Sequence, residues 1–162
     1  MSANRHKPHV VVLPEDDANR QVALGFRLEL EPDRLRQIDI RPVAGGWMHV
    51  VDTFKVQYAR LMQTSIPHRY VILLLDFDNA EQRSTLIAQQ IPDDLRDRVF
   101  VLGVRSEPED LKRGRPGSYE DIGRALAREC RDGSRVLWSH DLLKHNTAEI
   151  DRMNPFIHSI LF

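Results

Sequence analysis

Cysteine is almost missing from this chain of 162 residues: Cys130 stands alone, so no internal disulfide can close and no cysteine-rich zinc site can be assembled. Nothing points to an oxidising compartment, and the cytoplasm is the expected location. Long apolar runs are missing too. The longest are strand-sized, far short of the roughly 20 residues that cross a bilayer, and residues 1–8 are polar with no apolar stretch behind their basic positions. No membrane association is expected. Charge of one sign is also missing, since 23 Lys and Arg face 24 Asp and Glu for a net charge of −1. There is no global field to draw in nucleic acid or an anionic surface, so an anionic partner must be met by a local patch. Repeats, low-complexity tracts and a Pro/Gly-rich linker do not occur. With 41% hydrophobic and 29% charged residues, the chain reads as a single domain around one core.

What is present is alternation. Residues 9–13 (HVVVL) form a β-branched run between Pro8 and Pro14, suited to a strand buried on both faces. Over residues 16–30, Val22, Ala23, Phe26 and Leu30 share one helical face, with Asp16 or Asp17 placed to cap its start. Residues 37–43 read as a second strand ending at Gly45-Gly46, after which Trp47, Val50, Val51, Phe54, Tyr58 and Leu61 keep a helical period. Residues 69–75 (RYVILLL) give the strongest strand signal, followed by a polar helical stretch over 81–90. Residues 92–98 read as a turn or short helix, 99–104 as a fourth strand, 112–117 (KRGRPG) as a loop, and 119–131 as a helix. A short last strand is expected at 136–138 and a helix at 141–153, with an apolar tail over 154–162 docking on the body. The fold class is therefore α/β, a parallel central sheet flanked by helices in three Rossmann-like layers, with a core over about 8–111 and a helical extension over 118–162.

In such sheets, functional groups gather at the carboxyl ends of the strands. Glu15, Asp16 and Asp17 follow the first strand, Asp76 and Asp78 the third, and Glu107, Glu109 and Asp110 the fourth. Carboxylates brought that close repel unless they are protonated or bridged by a cation. For Asp16 and Asp17 helix capping is the preferred reading. Asp76 and Asp78, spaced to point to one side just after a buried strand, are the leading metal-ligand candidates. Oxygen ligands without Cys or a His cluster favour Mg2+ or Mn2+ over zinc, and a magnesium ion keeps waters that phosphate oxygens can replace. Lys112, Arg113 and Arg115 form a basic cluster that could grip such phosphates. Cys130 reads as a small core filler on a helix, and the seven histidines as mostly surface or capping residues.

Glu15 after a first apolar strand, Gly45-Gly46 after a second and Asp76-Phe77-Asp78 after a third resemble, over about residues 8–111, the Toprim domain of topoisomerases, primases, recombination proteins and overcoming-lysogenization-defect nucleases. The resemblance implies Glu15 as general acid or base and Asp76 and Asp78 as magnesium ligands. The segment 108–111 (PEDL) is similar to the acidic stretch after the fourth strand of stand-alone members, which implies Glu109 at a second metal. Asp16 stands where many members have Gly, Asn19 where an acidic residue is usual, and Trp47 where a basic one is frequent. Two other resemblances fit less well. In haloacid-dehalogenase phosphatases the DxD motif follows the first strand rather than the third. A receiver domain needs a Lys after a fifth strand, where this chain has Ser139-His140. The expectation is magnesium-dependent, nuclease-like chemistry on DNA or RNA phosphodiesters. The alternative is a non-catalytic module that keeps the fold and works through a protein partner.

Overall fold

The computed structural model describes residues 2–162. Four strands, β1 (His9–Pro14), β2 (Ile38–Ile40), β3 (Arg69–Leu74) and β4 (Val99–Leu102), form one sheet in the order β2-β1-β3-β4, and every pairing is parallel. Val10 and Val12 with Ile72, Phe100 and Leu102 serve one face; Val11, Leu13, Val71, Leu73, Val99 and Val101 serve the other. Burial on both faces is why these segments are unbroken apolar runs rather than alternating ones.

Helices cover both faces. On the first lie α1 (Asp17–Leu28), α5 (Pro108–Arg113), α6 (Tyr119–Asp132) and α7 (Thr147–Leu161). On the second lie α2 (Trp47–Thr53), a π-helical turn (Phe54–Ala59), α3 (Arg60–Thr64) and α4 (Arg83–Gln89). Two glycines let α1 and α6 touch: a methyl on Gly123 would sit 1.9 Å from the Val22 carbonyl oxygen, and one on Gly25 2.0 Å from that of Glu120. Ser118 and Asp121 start α6 with a reciprocal capping box. No helix among the described residues is long and apolar enough to cross a membrane.

Four local expectations are corrected. The π-turn shifts the helical phase, so Leu61, expected on the core face, is 43% exposed while Met62 is 1% exposed. Residues 136–138 form a turn instead of a strand; Val136 is 84% exposed, and the amides of Leu137 and Trp138 donate to the Glu129 carboxylate rather than to a neighbouring strand. The final helix begins later than expected and runs through Pro155. Pro155 and Asp151, whose carbonyl loses its helical donor there, are both exposed, so water can serve that carbonyl. Lys112 and Arg113, expected in a loop, form the last turn of α5.

Among the described residues no fifth strand pairs with the outer edge of β4. Side chains near the start of α7 fill that role: Arg152 donates to the Val99 carbonyl (2.8 Å), Val101 N–H to Glu149 (2.7 Å), and Asn146 both accepts from Gly103 N–H (3.1 Å) and donates to its carbonyl (2.9 Å).

Candidate functional site at the carboxyl edge

The chain leaves β1, forms β2 on one side, then returns to form β3 on the other, so the order of strands reverses between β1 and β3. Helices on either side of such a point diverge to opposite faces and leave a crevice outside the carboxyl ends of the strands. Glu15 and Asp76 follow the two strands on either side of that point. The Glu15 amide donates to the Leu74 carbonyl (2.9 Å), extending the β1-β3 ladder, and the Asp76 amide donates to Glu15 Oε2 (2.7 Å). The backbone after β3 thus fixes the Glu15 side chain directly.

Asp76 is 6% exposed, and its Oδ1 accepts from Asn19 Nδ2 (2.8 Å). The N-cap of α1 is Asp16, which receives the Asn19 amide at 2.9 Å and the Asn19 side chain at 3.0 Å; Asp17 lies in the first turn and holds Gln21. Burial, then repulsion from Asp16, Glu15 and Asp78, pushes the Asp76 carboxyl up to about 7 against the downward pull of Asn19. Burial likewise raises Glu15 above its ordinary value, with Asp16 and Asp78 adding to it and the Asp76 amide and Arg83 opposing. These carboxyl groups sense one another across the edge.

Beyond Asp76 the chain turns sharply. Asp78 and Asn79 have φ of +47° and +56°, and the Ala80 amide closes the turn on the Phe77 carbonyl at 2.7 Å. Asp and Asn tolerate this left-handed backbone better than other non-glycine residues, and such conformations concentrate at functional sites. Arg83 holds the turn from within: its Nη1 donates to the Asp76 carbonyl (2.7 Å) and pairs with Asp78 Oδ2 (2.6 Å), while its guanidinium stacks 5.1 Å from the centre of the Trp47 ring. Arg83 and Asn19 are the functional candidates that sequence reading missed. The signal for Arg83 was its position five residues after Asp78, at the start of the following helix.

The structure brings Glu15, Asp76 and Asp78 to one edge, and it leaves the other candidates in separate settings. Glu109 lies exposed in the first turn of α5 and, after burial, is the next cause that lifts the Tyr119 hydroxyl above its ordinary value. Asp16 also contributes to that shift, so this group sits within electrostatic reach of the main cluster. The basic residues point in different directions: Lys112 Nζ lies 4.6 Å from the centre of the Tyr119 ring, Arg113 pairs with Asp110 (3.2 Å), and Arg115 lines a separate cavity beside α6. Cys130 packs against the core as expected, and burial pushes its thiol up to about 11.

A divalent cation suits this edge in kind. The bonds just described leave one carboxylate oxygen each on Glu15, Asp76 and Asp78, and magnesium commonly takes only one or two carboxylates, with water and phosphate completing its shell. Among the described residues no group of three or more His, Cys, Asp or Glu side chains is placed to hold a metal ion. Two buried side-chain atoms among the described residues lack hydrogen-bond partners, Ser106 Oγ and Arg20 Nε, and both residues belong to segments beside this edge. Ser106 follows β4 and accepts the Asp78 amide on its own carbonyl (3.1 Å). A cavity of about 570 Å3, lined by Phe77, Asn79, Ser84, Arg105 and His145, opens beside the turn. That is within the size range of small-ligand sites.

No protein-family model, curated protein or solved structure matches the chain.

Proposed function

We propose that the chain is a small Toprim-like protein whose carboxyl edge binds Mg2+ or Mn2+ and acts on nucleic-acid phosphodiesters. The observation that carries this reading is the placement of Glu15 and Asp76 across the strand-order reversal, both with proton affinity raised first by burial, Asp76 in part by Glu15 and Glu15 in part by Asp16 and Asp78. Asp76 and Asp78 would hold the cation, and Glu109 would serve a second one. The bound cation would neutralise charge on the phosphate. Glu15, oriented by the Asp76 amide and with its proton affinity raised, suits the transfer of a proton to or from a phosphate ester oxygen or an attacking water. Asn19 holds Asp76 in one rotamer, and Arg83 sets the geometry of the Asp76–Asn79 turn. Lys112, with Arg113 and Arg115, would meet flanking phosphates of a DNA or RNA strand.

A specific observation favours a second reading. Arg83 already gives Asp78 a counter-charge and Asn19 gives Asp76 a donor, so the edge is partly compensated without a cation. The chain would then be a non-catalytic module acting through a protein partner.

Calorimetric titration of Mg2+ and Mn2+ into wild type and Asp76→Asn, followed by incubation with single- and double-stranded DNA and RNA, separates the two. Metal binding weakened at least tenfold by the substitution, together with metal-dependent cleavage, supports the first reading. Equal affinity in both proteins removes the metal site, and no cleavage with either metal leaves the module.

A further inference from the structure

The opposite end of the same strands holds a second polar centre. His9 and Arg69 are the first residues of β1 and β3, sit opposite each other in register, and are 0% and 6% exposed. Arg69 Nε donates to His9 Nε2 (3.1 Å), which makes Nε2 the acceptor and leaves the ring proton on Nδ1, facing the Lys7 carbonyl at 2.8 Å. His9 is therefore neutral and serves to orient the guanidinium. The guanidinium also lies over the Tyr58 ring, 5.4 Å from its centre. Tyr58 comes from the π-turn, a distortion that occurs frequently at functional sites.

The bond to His9 is the only hydrogen bond the Arg69 side chain makes among the described residues, and no carboxylate lies within salt-bridge distance of it. Both Nη groups are thus without a protein acceptor and, although the residue as a whole is more than nine-tenths buried, they are not among its fully enclosed atoms and keep contact with solvent. Guanidinium groups held in a mostly buried setting are ordinarily paired, and here only water in the cavity can meet the fork. Arg69 lines a cavity of about 190 Å3 together with Arg5, Arg41 and Asp39. Asp39 pairs with Arg41 (3.4 Å), so three guanidiniums face one carboxylate. Burial, and then Arg5 and Arg41, hold Arg69 below its ordinary proton affinity while Tyr58 and Asp39 oppose them, so positive charge is concentrated here.

We propose that this cavity is a binding site for a phosphate-class oxyanion, held by the two free Nη groups of Arg69 and flanked by Arg5 and Arg41. The planar fork of an arginine matches two oxygens of such an anion. The size fits a small group: it exceeds the roughly 30 Å3 share of a water several-fold and falls below the roughly 300–1,000 Å3 of sites that enclose drug-sized ligands. A free phosphate or a terminal phosphate of a larger molecule can enter; a whole nucleotide cannot be enclosed. The site is independent of the carboxyl edge, about 20 Å away along strands of six residues.

The test is calorimetric titration of inorganic phosphate at constant ionic strength, with chloride as the control, into wild type, Asp76→Asn and the double variant Arg5→Ala/Arg41→Ala. The last removes only outer, partly exposed side chains and so keeps the fold, checked by circular dichroism. Saturable binding is expected in wild type and Asp76→Asn, weakened tenfold or more in the double variant and in Arg69→Lys, which keeps the charge but loses the fork. An absence of saturable binding in wild type, or the same affinity in the double variant, overturns the proposal. Competition by a 5′-phosphorylated but not a 5′-hydroxyl oligonucleotide identifies a chain end as the source; displacement by neither identifies a free small anion. Because Asp76→Asn disables only the carboxyl edge, failure of one site does not carry over to the other.

Discussion

The two ends of strands β1 and β3 face opposite electrostatic problems. At the carboxyl end, Glu15 and Asp76 bring buried negative charge together, and the protein answers with hydrogen bonds from the Asp76 amide and Asn19 and with one guanidinium, Arg83. At the amino end a single buried cation, Arg69, is met by a neutral ring and an aromatic face. The acidic end can relieve its excess by taking up protons near neutral pH; the guanidinium cannot lose its proton in that range. The two ends should therefore respond differently to pH and to added ions.

The largest effect is expected from Asp76. Its folded value of about 7 lies above the ordinary 3.8, so the folded chain holds this proton more tightly than the unfolded one. Stability from this group is fully present below about pH 4 and is lost as pH rises through about 7, by about 4 kcal/mol at most, above which the profile is flat. Urea titrations with a chelator present should show that fall between about pH 4 and 7 in wild type and little of it in Asp76→Asn. A flat wild-type profile would break the comparison. His9 carries the opposite sign: burial lowers its proton affinity below the ordinary 6.5, so its contribution is lost as pH falls below that value. His9→Gln should flatten only the acid limb.

Next in size is the response to magnesium. At pH 8 and a concentration near 100 times the dissociation constant, a cation bound only by the folded state adds about 2.7 kcal/mol. Thermal melts should show the gain in wild type and lose it in Asp76→Asn. A gain of the same size in both would place the ion elsewhere. Arg83→Ala strips the Asp76 carbonyl of its donor and Asp78 of its counter-charge, and should cost about 2 kcal/mol without magnesium while leaving magnesium affinity equal or higher. Reduced affinity would instead make Arg83 part of the binding arrangement. The smallest change is Asp16→Ala, which removes the cap of α1 and should cost about 1 kcal/mol, offset in part by weaker repulsion on Asp76.

The acidic end was far more legible in the sequence than the basic one. Glu15, Asp76 and Asp78 each follow an apolar run, and parallel strands deliver such residues to the same edge, so strand boundaries sufficed to find them. Asn19 and Arg83 sit on helices whose polar residues outnumber the informative ones, and only the fold says which of them turn inward. His9 and Arg69 were hidden because they read as polar punctuation before apolar strands, whereas the register buries both. The π-turn escaped detection because a helical period counts turns of about 3.6 residues and cannot register a wider one. Residues 136–138 looked like a strand on composition alone. What prevents it is the carboxylate of Glu129, which takes the amides a strand would need, together with α7, whose side chains occupy the sheet edge.

That occupation also orders events in time. Gly103 and the Asn146 side chain that completes it are 43 residues apart, so at about 5–20 residues per second a ribosome delivers the strand roughly two to nine seconds before its cover. For that interval the nascent sheet presents a bare row of amides and carbonyls next to Phe100 and Leu102, the kind of template that other chains can join. Premature termination before Asn146 would make the interval permanent. Such fragments should accumulate as aggregates, whereas full-length chains pass through the same exposure only briefly.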